Sequence, residues 1–291
     1  MSPTRTGIAY ALGAYLLWGF MPIYWQFLGH LPAPLVLAHR IIWSCVFLAV
    51  PLAFPSRREA LLQALRDWRR LRPMALASLL ISLNWLTYIW AVTHGHIVEA
   101  SLGYFINPLL NVALGTLLLR ERLRPVQWIP LALAAAGVLH MALAQGRVPW
   151  IALVLALSFG VYGLVKRTTH LDSVTGLSLE TALLAPPALA YAALASPGLP
   201  FTGGDWLFLA GAGPVTAVPL LLFAAGARRI PLWLTGLLQY LAPTLQLLLG
   251  LWLFGETLGD GRLAGFLLVW AGLLLFAGES LWRRGTAARA G

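Results

Sequence analysis

The chain is expected to be an all-α polytopic membrane protein of ten transmembrane helices, arranged as two inverted five-helix repeats, and three observations point there. Of its 291 residues 59% are hydrophobic and only 10% charged, against about a quarter charged in a soluble domain. The apolar residues fall into ten runs of about the 20 residues that cross a hydrocarbon core. The second half of the chain repeats residues of the first in register.

Taken in order, the spans are 7–28, 34–54, 73–93, 98–119, 125–143, 148–165, 175–195, 205–227, 231–254 and 261–281. None shows the period-two alternation of a barrel strand, so the backbone must be satisfied as helix. Span 7–28 exceeds the apolar stretch of a secretory signal and is followed at once by further spans, so it reads as an uncleaved first helix. The linker 55–72 sets Leu61, Leu62, Leu65 and Trp68 against Arg58, Arg66, Arg69 and Arg70 at helical spacing, and is expected to lie flat at the membrane surface. Trp150, Trp206 and Trp282 sit near span ends, where an amphipathic ring favours the headgroup level. Cys45 has no second cysteine in the chain to pair with.

Basic residues fix the orientation. On alternate sides of the spans, one face collects Arg5, the six Arg of 57–72, Arg120, Arg122, Arg124, Lys166, Arg167, Arg228, Arg229, Arg283, Arg284 and Arg289, 17 in all, and the other only Arg147 and Arg262. Basic loops stay in the cytoplasm, so both termini are expected there. The net charge of +10 is this topology signal and no sign of nucleic acid as a partner, because nucleic-acid binders gather their basic residues on a soluble face.

Residues 101–121 align with 236–256 at an offset of 135: Leu102 with Leu237, Pro108 with Pro243, Gly115 with Gly250, Glu121 with Glu256, then Leu123 with Leu258, Ala136 with Ala271 and Gly137 with Gly272. Each half, 1–145 and 146–291, then holds five spans. An odd number forces opposite orientations, the plan of many secondary transporters with a site between the halves. Pro108 and Pro243 each remove a backbone donor at equivalent points, a helix-break signal.

Polar residues inside the spans mark the candidate site. Tyr104, Asn107 and Asn111 share one face of the fourth span, Gln239, Tyr240 and Gln246 a face of the ninth, and Asn84, Trp85 and Tyr88 one region of the third. Amides facing lipid are costly, so these should face the bundle interior. They read either as lining for a small-molecule substrate or as hydrogen bonds between helices. Arg40 and Glu180 are ionisable groups within spans, each about a turn and a half from an end. They read as gating or charge-relay groups, or as helix-end anchors long enough to snorkel. His94, His96 and Glu99 form a short cluster at one turn, read as capping with no resident metal. No phosphate-binding loop, serine-hydrolase elbow or zinc-protease motif occurs, so no cofactor and no enzyme activity are expected. The small pair Gly261 and Gly265 offers close helix packing or a homodimer contact.

The chain resembles the RarD branch of the EamA family, in the drug/metabolite transporter superfamily, over nearly its whole length. The resemblance rests on 39–44 (HRIIWS), Asn84 and Trp85 through 90–92 (WAV), 99–108 (EASLGYFINP), 158–165 (SFGVYGLV), Glu180 with Thr181, Val215 and Thr216 through Pro219 and Leu220, and Gln239 and Tyr240 with Pro243 and Thr244. It implies an inner-membrane permease that exports a metabolite or drug-like molecule. The expected function is therefore gradient-driven transport by alternating access, with membrane lipid around the protein. A membrane-embedded sensor or enzyme that binds a metabolite without moving it, built on the His94, His96 and Glu99 cluster, is the competing reading.

Overall fold

The computed structural model describes residues 3–119, 125–146, 148–169, 171–199, 201–227, 229–230, 234 and 238–287. Its helices are α1 (Pro3–Gln26), α2 (Ala33–Leu52), α3 (Pro55–Arg66), α4 (Trp68–Thr93), α5 (Ile97–Leu119), α6 (Trp128–Gln145), α7 (Trp150–Thr169), α8 (Ser173–Ala195), α9 (Gly203–Ala227), α10 (Leu241–Leu248) and α11 (Asp260–Ala287). There is no strand among the described residues. α1, α2, α4, α8 and α9 are long and apolar enough to cross a membrane; α5, α6, α7, α10 and α11 are apolar over shorter described lengths. Their outward faces carry large apolar side chains, Leu194 at 83% and Trp252 at 80% exposure among them, a surface suited to lipid rather than water. The ten apolar helices are those expected; α3 is the amphipathic linker.

α3 buries Ala64 against Met74 and Leu179, with Leu61 beside them. Leu62, Leu65 and Trp68 remain exposed, so its apolar side is shared between protein and surroundings. Asp172 caps α8 by accepting from the amides of Val174 and Thr175, and Arg57 of α3 reaches the same carboxylate at 2.5 Å. Burial raises the Asp172 carboxyl, but the bonds from Thr175 and the Arg57 charge outweigh it and hold it below the ordinary carboxylate range. Trp68 to Arg72, expected in the linker, instead open α4, whose first turn is capped by Asp67; Pro73 lies inside the second turn of that helix, where it forgoes the bond to the Arg69 carbonyl.

Packing reproduces the repeat. The first helix of each half lies in the other half: α1 packs on α9 and α10, and α7 on α4 and α5. Second meets second in α2 and α8, fourth meets fourth in α5 and α10, and fifth meets fifth in α6 and α11. The same exchange holds at atomic scale. A Cβ on Gly137 would stand 2.7 Å from the Gly265 carbonyl oxygen, and one on Gly272 2.8 Å from that of Pro130. The offset of 135 carries each contact into the other. α6 and α11 approach so closely because Gly137, Gly265 and Gly272 lack side chains. Gly265 is thus used within the chain; the side chains of Glu121, Leu123, Leu237 and Trp282, and any contact of Gly261, lie outside the described residues.

Pro108 and Pro243 are placed unlike each other. α5 runs unbroken through Pro108. Pro243 occupies the first turn of α10, after a turn at Gln239 and Tyr240, a place where a missing N–H costs nothing. The irregularity of that span lies further on, in a π-helical segment at Leu249–Leu253.

Candidate functional site

The site is built around Arg40. α2 begins at Ala33, and seven residues at 1.5 Å each place Arg40 about 10 Å along it. There the side chain turns into the protein and is only 4% exposed. It does not snorkel. The guanidinium carbon lies 4.0 Å from the ring centre of Trp85 on α4 and 5.0 Å from that of Trp25 on α1. Nε donates to Thr216 Oγ1 on α9 at 2.9 Å. Tyr88 and Tyr104 stand close enough to interact with the charge, their rings edge to face at 5.7 Å. Nη1 has no hydrogen-bond acceptor among the described residues. Ring contacts of this kind supply about 2 kcal/mol each when desolvated, but an orphaned buried donor costs roughly 1–3 kcal/mol. The cage holds the cation without neutralising it.

Asn84 lies in the same region and is already committed. Its amide nitrogen donates to Leu155 O and Ser158 Oγ, both at 3.0 Å, and its oxygen accepts from Tyr104. It ties α4 to α7 and orients Tyr104. Of the residues singled out in the fourth span, Asn107 is buried with its oxygen unpartnered, and the Asn111 side chain lies outside the described residues. Those of the ninth span have contacts of their own. Gln246 donates to Trp18 O at 3.0 Å, tying α10 to α1. Tyr240 lies parallel to Phe105 at 6.5 Å, with Gln239 half-buried beside it. Among the described contacts neither Gln246 nor Tyr240 reaches the Arg40 cage.

Glu180 stands seven residues into α8, as Arg40 does in α2, but near the opposite face. It is neutralised. Lys166 Nζ lies 2.7 Å from Oε1, and the Tyr162 hydroxyl donates to both oxygens at 3.2 and 3.3 Å. Gly176 leaves the space for the ammonium, since a Cβ there would sit 2.5 Å from Nζ. A line of rings joins the two centres, Tyr104 to Phe159 at 6.5 Å and Phe159 to Tyr162 at 5.9 Å.

The cluster at the turn is dispersed. His94 and His96 stack on Trp90 at 4.6 and 5.5 Å, while Glu99 turns away to accept from the Ile151 amide at 3.1 Å and cap α7. Glu256 caps α5 in the same manner, through Ile97 N and Val98 N. A groove of about 410 Å³ between α5, α6 and α7 is walled by side chains such as Leu109, Leu131 and Val138, and has no group to orient a polar solute.

Residue patterning missed Trp25 and Thr216, which build the cage, and Lys166, which answers Glu180. Lys166 had a signal: it follows Tyr162 by four residues and so shares its face.

The EamA-like transporter family model matches residues 5–143 and again 148–278. The chain is 46% identical to the uncharacterized transporter YojE of Bacillus subtilis over 97% of each chain. It is 44% identical to protein RarD of Streptomyces exfoliatus over 95% of this chain and 90% of that one. A crystal structure 24% identical, covering 94% of this chain and 97% of its own, superposes with a TM-score of 0.59 and shares the fold. With the paired match, the exchanged first helices and the interior cage together, the chain belongs to the EamA-like transporter family and is an integral membrane protein.

Proposed function

We propose that the chain is a secondary transporter that exports a small metabolite or drug-like solute by alternating access between two five-helix units, 1–145 and 146–291. The observation that carries this reading is the Arg40 cage. Its walls come from α1 and α9 on one side and from α4 and α5 on the other, the two groups defined by the exchanged first helices. A solute held there touches both, and rocking one group against the other would open it to each face in turn. Arg40 near one face and Glu180 near the other stand where gates would act.

Energy would come from a gradient, since the sequence carries no nucleotide-binding loop. The concentration of basic residues on one face supports cytoplasmic termini in a bacterial inner membrane. No chemistry beyond binding is asked of the cage, so the reading is of a carrier and not an enzyme.

Reconstitution tests it. Purified protein in proteoliposomes should carry a solute down an imposed gradient faster than protein-free vesicles. Asn107→Ala removes a buried oxygen that the fold leaves unpaired, so it should lower flux at least several-fold while folded yield is unchanged. Undiminished flux would take Asn107 out of the solute path, and absence of flux for any solute that binds would refute the transporter reading.

A further inference from the structure

The groups left without partners around Arg40 can each donate a hydrogen bond. Nη1 of Arg40, Nε1 of Trp25 and the hydroxyl of Tyr88 are all buried and unbonded. Trp43 Nε1 and Ser44 Oγ, three and four residues along α2, are in the same condition. No acidic side chain is ion-paired with Arg40 among the described residues. The charged residue seven positions into the second helix of the other half, Glu180, has both a cation and a phenol. What the cage lacks is a negatively charged acceptor, and an ion buried in this way is held at a cost unless one arrives.

We propose that the cage binds the carboxylate of an organic monoanion, with the apolar body of that molecule against Tyr88 and Tyr104. The inference rests on the transporter reading and names its substrate class. One guanidinium matches one negative charge, and a planar carboxylate offers two oxygens to neighbouring donors. A compact, strongly hydrated dianion such as phosphate would meet aromatic walls in place of its water. An organic cation would suit the rings, but Arg40 already covers the faces of Trp25 and Trp85 and would repel it. Since α1 and α9 approach from one side and α4 from the other, a bound carboxylate bridges the two groups and favours their closure.

Thermal unfolding of the purified full chain tests this with benzoate, indole-3-acetate and hexanoate, each beside its primary amide and the corresponding primary amine. At least one carboxylate should raise Tm, with half-saturation at a concentration at least tenfold below that of its amide or amine. Arg40→Gln, shown to be folded by size-exclusion chromatography and circular dichroism, should lose that response. Equal stabilisation by amide or amine, no response to any carboxylate, or a full response in Arg40→Gln overturns the proposal. If Arg40→Gln does not fold, the wild-type comparison of carboxylate with amide decides alone. Flux of the binding carboxylate in proteoliposomes separates the two readings. Binding without flux leaves the anion site standing and removes transport, while flux of neutral or cationic solutes with no carboxylate binding does the reverse.

Discussion

Lys166 and Tyr162 turn Glu180 into a closed unit, and that predicts how its variants behave. Glu180→Gln leaves the Lys166 ammonium facing an amide, and should destabilise the protein by roughly 3 kcal/mol. The double variant Glu180→Gln with Lys166→Met removes both charges and should recover much of that loss; unfolding in detergent with increasing sodium dodecyl sulfate measures both. Asn84→Ala, which deletes two bonds from α4 to α7, should cost about 1 kcal/mol in the same measurement. At this scale the sequence tells which residues are buried, because a polar group inside an apolar run has little choice. It does not tell where a long side chain points. Arg40 could reach the surface by length alone, and only the packing of Trp25 and Trp85 shows it turned inward. Asn84 reads equally as lining or as a link between helices until Leu155 and Ser158 are seen beside it.

Between helices, the absence of side chains permits close contact. α6 and α11 meet through Gly137 and Gly265 at one level and Gly272 and Pro130 at another. Gly137→Val and Gly272→Val should each push the pair apart and lower Tm by several degrees or abolish folding, since the atom a Cβ would strike is a backbone oxygen. Gly278→Ala, also in α11 but with nothing within 4 Å of its Cβ, should be neutral or stabilising by up to about 1 kcal/mol. Element positions were readable from apolar run length, and α3 from its amphipathic spacing. The start of α4 was not, because Trp68, Arg69 and Arg70 continue the amphipathic spacing of the linker until Asp67 is seen capping a new helix. The equivalence of Pro108 and Pro243 in the alignment did not carry over to equivalent kinks, since a proline in a first turn and one in mid-helix make different demands on the backbone.

Across the whole molecule, exchange of α1 and α7 makes each half incomplete alone. Residues 1–145 expressed without the rest lack the partners of α1, and 146–291 lack those of α7. Neither half should give a monodisperse, protease-resistant species, whereas co-expression of the two should restore one. The inverted repeat itself was legible, from five spans per half and an alignment in register. The exchange was not, because an alignment says which segments correspond and nothing about which ones touch. The central claim is that the cage around Arg40 opens to each face of the membrane in turn. Cysteine labelling measures it: Thr216→Cys in a Cys45→Ser background, treated with a membrane-impermeant maleimide in intact cells and in inside-out vesicles. The account predicts labelling from both sides, slowed by a bound solute; labelling from one side only, or from neither, would contradict it.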